Sequence, residues 1–175
     1  TTSYSIINRH GGTIEIESSA DKGSSFIIYL PASQDEEENK IINTPVELKA
    51  SGRILLVDDE YVIRDSLGAL LEMMGYDTVC ADDGFQALQI LKEVYEEGSE
   101  PLLAVIMDLT IPGGMGGIDT IEIIRKLYPN LPVFVSSGYA ENPVMAEPGK
   151  YGFTASIGKP FTFEELAAVL KEYLG

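Results

Sequence analysis

Several apolar runs in this sequence end in residues that can do chemistry. "RILLVDD" ends in Asp58 and Asp59, "LLAVIMD" ends in Asp108, "PVFVSS" ends in Ser136 and Ser137, and "FTASIG" is followed by Lys159 and Pro160. Three carboxylates in one pocket repel one another, so something must gather them. A hard divalent cation would: Mg2+ prefers oxygen ligands, keeps several waters, and takes one or two carboxylates plus phosphate oxygen. A nearby lysine can pair with a carboxylate and later with a phosphoryl oxygen, and a serine hydroxyl can donate to the same oxygen. An aspartate carboxylate can itself attack phosphorus, giving an aspartyl phosphate. Metal, nucleophile, lysine and hydroxyl together form a minimal phosphoryl-transfer site.

These groups are far apart in sequence, so the fold must assemble them. From about Gly52 the pattern alternates strand and helix. Residues 60–74 carry Ile63, Leu67, Leu70, Leu71 and Met74 at helical spacing, and residues 84–96 place Ala87, Leu88, Leu91 and Tyr95 on one face. "GGIDTIEIIRKLY" reads as a third helix, residues 140–151 as a weak one broken by Pro148 and Gly149, and "TFEELAAVLKEYL" as a last one with Thr162 and Glu165 as a capping box. Apolar strands separated by amphipathic helices predict a parallel sheet covered on both faces, and five such units predict an open doubly wound α/β sheet. Ligands of such sheets sit at the carboxyl ends of the strands, where Asp58, Asp59, Asp108, Ser136, Ser137 and Lys159 all fall.

Residues 1–32 read differently. "SYSIINRHGG" is a short helical pattern, with Tyr4, Ile7 and Ile6 toward one side, closed by Gly11 and Gly12. "TIEIES" alternates strictly, "SFIIYLP" is a second strand, and "SADKG" between them is turn chemistry, so the pair is a hairpin. Residues 33–51 follow as an acidic, aperiodic linker, most simply a solvated one.

The formal net charge of −16 argues against nucleic acid and against an anionic membrane surface. It suits a cation or a basic patch on a partner. One cysteine, Cys80, excludes an internal disulfide and points to a reducing compartment. No apolar run reaches the roughly 20 residues that span a bilayer, and no signal peptide is visible, so the expected location is cytoplasmic. A start at "TTSYS" without Met predicts a piece of a longer protein.

"LLVDDE", "IMDLTIPGGMGG", "VFVSSGYA" and "IGKPF" resemble, in order and spacing, the four signatures of two-component response-regulator receiver domains, over about residues 52–175. The resemblance implies a flavodoxin-like fold. It also implies that Asp58 and Asp59 hold Mg2+ (or Mn2+), that Asp108 accepts the phosphoryl group and touches the metal, and that the Thr110 backbone carbonyl is a further metal ligand. Ser137 and Lys159 match the family's hydroxyl and lysine, and the Lys159–Pro160 bond is commonly cis in that family. "SIINRHGGTIEIESSADKGSSFIIYLP" resembles the end of a histidine-kinase ATP-binding domain, without its asparagine and glycine-rich boxes. The layout is then that of a hybrid sensor histidine kinase, whose parent could be membrane-anchored. This stretch would have no ATP site and would catalyse only its own aspartyl phosphorylation and dephosphorylation. The implied phosphodonor is the kinase's phosphohistidine domain or a histidine phosphotransfer protein.

Plainer readings stand beside these. Asp59 alone could cap a helix, Ser136 rivals Ser137 for the hydroxyl role, and Lys159 alone would be a solvated lysine. His10 is followed by Gly11, whereas the family's phosphohistidine is followed by an acid, so it reads as a helix-end residue. "GGMGG" lacks the Lys-Ser/Thr of a phosphate loop and reads as a tight turn beside the acceptor. Ser156 stands where many receivers carry Phe or Tyr, which departs from the usual coupling of hydroxyl and aromatic. Three classes follow: a phosphoacceptor receiver, a degenerate receiver that serves only as an interaction module, or an aspartate-nucleophile phosphohydrolase. The last is disfavoured by Thr110, where that class carries a second Asp. A helix and hairpin with uncovered apolar faces also leave room for packing on the receiver or self-association through residues 1–32.

Overall fold

A computed structural model describes residues 2–19, 23–32, 51–96, 98, 100–138 and 142–175. The turn expected at 20–22 and nearly all of the expected linker lie outside them. The chain divides into two compact units, Thr1–Pro45 and Val46–Gly175.

In the first unit, helix α1 (Thr2–Arg9) precedes strands β1 (Thr13–Ser19) and β2 (Gly23–Tyr29). The strands pair antiparallel, with Ile14 opposite Ile28 and Ile16 opposite Phe26. Side chains alternate along a strand, so these four share one face. Ile7 is buried, but Tyr4 and Ile6, expected beside it, are exposed. One helix on a two-stranded ribbon covers little area, and only the residue that faces the ribbon is buried. His10 follows the last helical residue and donates its backbone N–H to Ile6 and Ile7 carbonyls, a helix-end position as expected.

The second unit carries β3 (Arg53–Val57), α2 (Tyr61–Met73), β4 (Asp77–Ala81), α3 (Gly84–Glu96), β5 (Leu102–Asp108), α4 (Gly117–Leu127), β6 (Val133–Ser137), α5 (Pro143–Ala146), a 3-10 turn (Pro148–Tyr151), β7 (Ala155–Gly158) and α6 (Phe163–Leu174). The five strands form one parallel sheet in the order β4-β3-β5-β6-β7. That order reverses direction between β3 and β5, the switch point at which doubly wound sheets open a crevice.

Strand parity sorts the core into two layers. Ile54, Leu56, Ala104, Ile106, Phe134 and Ile157 pack with Leu67 and Leu71 of α2 and Leu166 and Leu170 of α6. Leu55, Val57, Val105, Met107, Val133 and Val135 pack with Ala87 and Leu91 of α3, Ile121 and Ile124 of α4, and Val144 of α5. Both faces are thus dry, which explains the unbroken apolar strands. On α3 the stripe continues through buried Val94, not through Tyr95. Both lie one turn beyond Leu91, and Tyr95 instead stacks on Tyr128 with ring centroids 4.5 Å apart. Thr162 is the N-cap of α6 and accepts from the Glu165 N–H at 3.3 Å. The Glu165 carboxylate in turn accepts from the Thr162 hydroxyl at 2.8 Å, so the box closes through side chains.

Candidate functional site

The β3 strand delivers Asp58 to the rim of the sheet. Its carboxylate accepts from the Glu60 N–H at 2.9 Å, an Asx turn that starts α2, and its own N–H donates to the Ala81 carbonyl at 3.2 Å. Glu60, not Asp59, is the N-cap of α2, and its own side chain makes no capping bond. Asp59 is therefore relieved of the capping role and remains exposed.

Strand β5, in the middle of the sheet, delivers Asp108. One carboxylate oxygen from each of Asp58, Asp59 and Asp108 lies within 4.8 Å of the others. From the far side of the sheet, β7 brings Lys159, whose ammonium donates to Asp58 at 2.6 Å and stands 3.1 Å from the Asp108 carboxylate. The Lys159–Pro160 bond is cis. Asp59, Asp108, Thr110, Ser137 and Lys159 all line one cleft of about 470 Å³, together with Glu60, Pro112 and Gly138. Ser136 and Ser137 are both buried, but strand parity sends them to opposite faces and Ser137 is the one that lines the cleft.

The electrostatics follow from burial and neighbours. Burial raises the Asp108 pKa above the usual carboxylate range, against the lowering effect of Lys159, and the Asp58 charge raises it further. Burial pulls Lys159 down, but hydrogen bonding to Asp58 and the charges of Asp108 and Asp58 outweigh it, so the ammonium is held charged beyond its ordinary range. One lysine beside three carboxylates leaves an excess of negative charge. Clustered carboxylate oxygens carrying that excess, those of Asp59 and Asp108 on residues that line the cleft, are the donor set a hard divalent cation takes, and the residues fit Mg2+ on that ground.

The glycine run has a packing reason. A Cβ on Gly117 would lie 2.9 Å from the Asp108 carbonyl oxygen, and one on Gly114 would meet Asp83 at 2.8 Å. The loop after Asp108 thus lies close against the end of β5, and the Gly117 N–H donates to the Leu109 carbonyl. Ser156 lies on β7, half-buried, and its hydroxyl donates to the Met145 carbonyl at 2.8 Å.

Sequence reasoning missed Arg64. Its guanidinium donates to the Asp58 backbone carbonyl and pairs with Asp82 at 2.7 Å, while only 13% of the side chain is exposed. The signal was present: Arg64 falls on the same stripe as buried Leu67, Gly68 and Leu71, an unusual place for a guanidinium.

The model of the response regulator receiver domain matches residues 54–171. The sensor kinase CckA of Brucella abortus is 32% identical over 98% of this chain, which spans 18% of its length. The sporulation initiation phosphotransferase F of Bacillus subtilis is 34% identical over 70% of the chain and 93% of its own length. Among solved structures, a CheY-like receiver domain protein from Methanospirillum hungatei matches 71% of the chain and 94% of its own, at TM-score 0.61 and 29% identity. The receiver domain of a Pseudomonas aeruginosa sensor histidine kinase, with a magnesium ion coordinated in its active site cleft, matches 72% of the chain and 99% of its own, at TM-score 0.62 and 25% identity.

Proposed function

The chain belongs to the response regulator receiver domain family through residues 54–171, and on that premise we propose that it accepts a phosphoryl group on Asp108 from a phosphohistidine. The observation that carries this reading is the convergence of Asp58, Asp59, Asp108 and Lys159 at one rim of the sheet. An Asp108 carboxylate oxygen forms the O–P bond as the donor's P–N bond breaks, and the imidazole nitrogen keeps the electron pair. Lys159 lies within reach of Asp108 and changes partner, from carboxylate to phosphoryl oxygen, as charge arrives. The Ser137 hydroxyl, on the strand next to the one that carries Lys159, binds another phosphoryl oxygen. Asp58, Asp59, Asp108 and the Thr110 carbonyl would hold Mg2+ (or Mn2+). When bound, the ion offsets negative charge on the acceptor and on the incoming group. The new charge then biases the adjoining loops between two arrangements.

We assign residues 1–32 to the end of a histidine-kinase ATP-binding domain, 33–51 to a linker and 52–175 to the receiver. The support is the likeness to a sensor kinase across 98% of the chain, together with the helix and hairpin of the first unit. The donor in this reading is the kinase's own phosphohistidine domain or a histidine phosphotransfer protein. The test is phosphotransfer from the purified parent kinase: the wild-type chain takes up the label and Asp108→Asn does not. Equal labelling of both would remove Asp108 from the role. No labelling of either, from kinase or from acetyl phosphate with Mg2+, would make the chain an interaction module.

A further inference from the structure

We propose that Arg64 is a positioning residue for the acid pair, holding the peptide between Asp58 and Asp59 from behind the site. The inference rests on the phosphoacceptor reading above and deepens it. Every other hydrogen-bonding group of Asp58 is committed elsewhere: its N–H to Ala81, its carboxylate to the Glu60 N–H and to Lys159. The carbonyl oxygen is held by Arg64. That oxygen belongs to the peptide plane from which the Asp59 backbone departs, so a donor on it fixes where the Asp59 side chain leaves the chain. The second arm of the guanidinium reaches Asp82, just beyond the end of β4. Arg64 thus ties α2 to the ends of two neighbouring strands, on the side of the acids away from Lys159. A planar fork serves two acceptors at once, and an ammonium on a flexible stem does not hold both in one geometry.

The sign of the effect separates this role from a plain electrostatic one. Arg64 is a cation beside a cation site. If its charge alone mattered, removing it would tighten Mg2+ binding, because one like charge is gone. If it positions the acids, removing it weakens binding, as loss of the groups that orient metal ligands commonly does by about 10- to 100-fold. The experiment is a calorimetric titration of the full chain with MgCl2, with circular dichroism to verify folding. We expect Arg64→Gln to bind about tenfold more weakly and Arg64→Lys to fall between it and wild type. If the glutamine variant does not fold, the lysine variant decides by the same sign. Affinity equal to or tighter than wild type in a folded variant overturns the inference and leaves the phosphoacceptor reading standing. A wild-type chain that takes up no Mg2+ overturns both.

Discussion

At the scale of single residues, the site is a balance of one ammonium against three carboxylates, and Arg64 is the charge that stands outside that balance. Its neighbour Cys80 offers an independent probe. Burial raises the Cys80 thiol above its ordinary range, the Arg64 charge lowers it, and Asp82 and Asp65 raise it. The thiolate is the reactive form, so near pH 8 the cysteine should react with iodoacetamide more slowly than a free cysteine, whose pKa is about 8.5, and its rate should climb at higher pH. In Arg64→Gln the profile should move to still higher pH, because the one lowering influence is gone. A rate profile followed by mass spectrometry reads both; a variant profile shifted to lower pH would contradict the assigned contacts. Asp58, Asp59, Asp108, Ser137 and Lys159 were legible in the sequence, because each ends an apolar run. Arg64 was not read: its place on the apolar stripe of α2 marked it as unusual, but its partner is a backbone carbonyl, and a carbonyl leaves no mark in sequence to say what the guanidinium holds.

At the scale of elements, the helices and strands were legible because their periods are strong, and the misses came where two continuations of a period compete. Val94 and Tyr95 both extend the α3 stripe, and only the position of Tyr128, distant in sequence, decides between them. The α5 region shows what local pattern cannot give. Its four residues are too few to be stable alone. They are held by the Asn142 side chain, which accepts from the Val144 N–H at 3.0 Å, and by the Ser156 hydroxyl on the Met145 carbonyl. The residue that departs from the family's aromatic is therefore bonded to the element beside it. Ser156→Ala leaves that partly buried carbonyl short of a donor and should cost about 1 kcal/mol in urea unfolding. Stability equal to wild type would mean that water replaces the hydroxyl without loss.

At the scale of the whole molecule, two units share one chain and differ in how well they cover themselves. The second buries two apolar layers against one sheet. The first leaves Ile16, Phe26 and Ile28 exposed on one face of its hairpin. A two-stranded ribbon with one helix is marginal in water, so the receiver should not depend on it. Residues 52–175 produced alone should unfold cooperatively and bind Mg2+ within about twofold of the full chain, since Asp58, Asp59 and Asp108, the carboxylates that would hold the ion, all lie in the second unit. A tenfold loss would show that the first unit props up the site.

The parallel register has a consequence for how such a chain tolerates change in length. Val57 lies beside Met107, Asp108 beside Ser136, and Ser137 beside Gly158. About 50 residues separate the acid pair from Asp108, yet that count carries no information for the site. Residues added in an exposed connection, such as the turn at Pro129 and Asn130, lengthen the path between strands and leave their ends where they are. One residue removed inside β5 would turn every later side chain of the strand to the opposite face and send Asp108 away from its partners. The molecule is thus permissive toward insertions between its strands and intolerant of a single deletion within one.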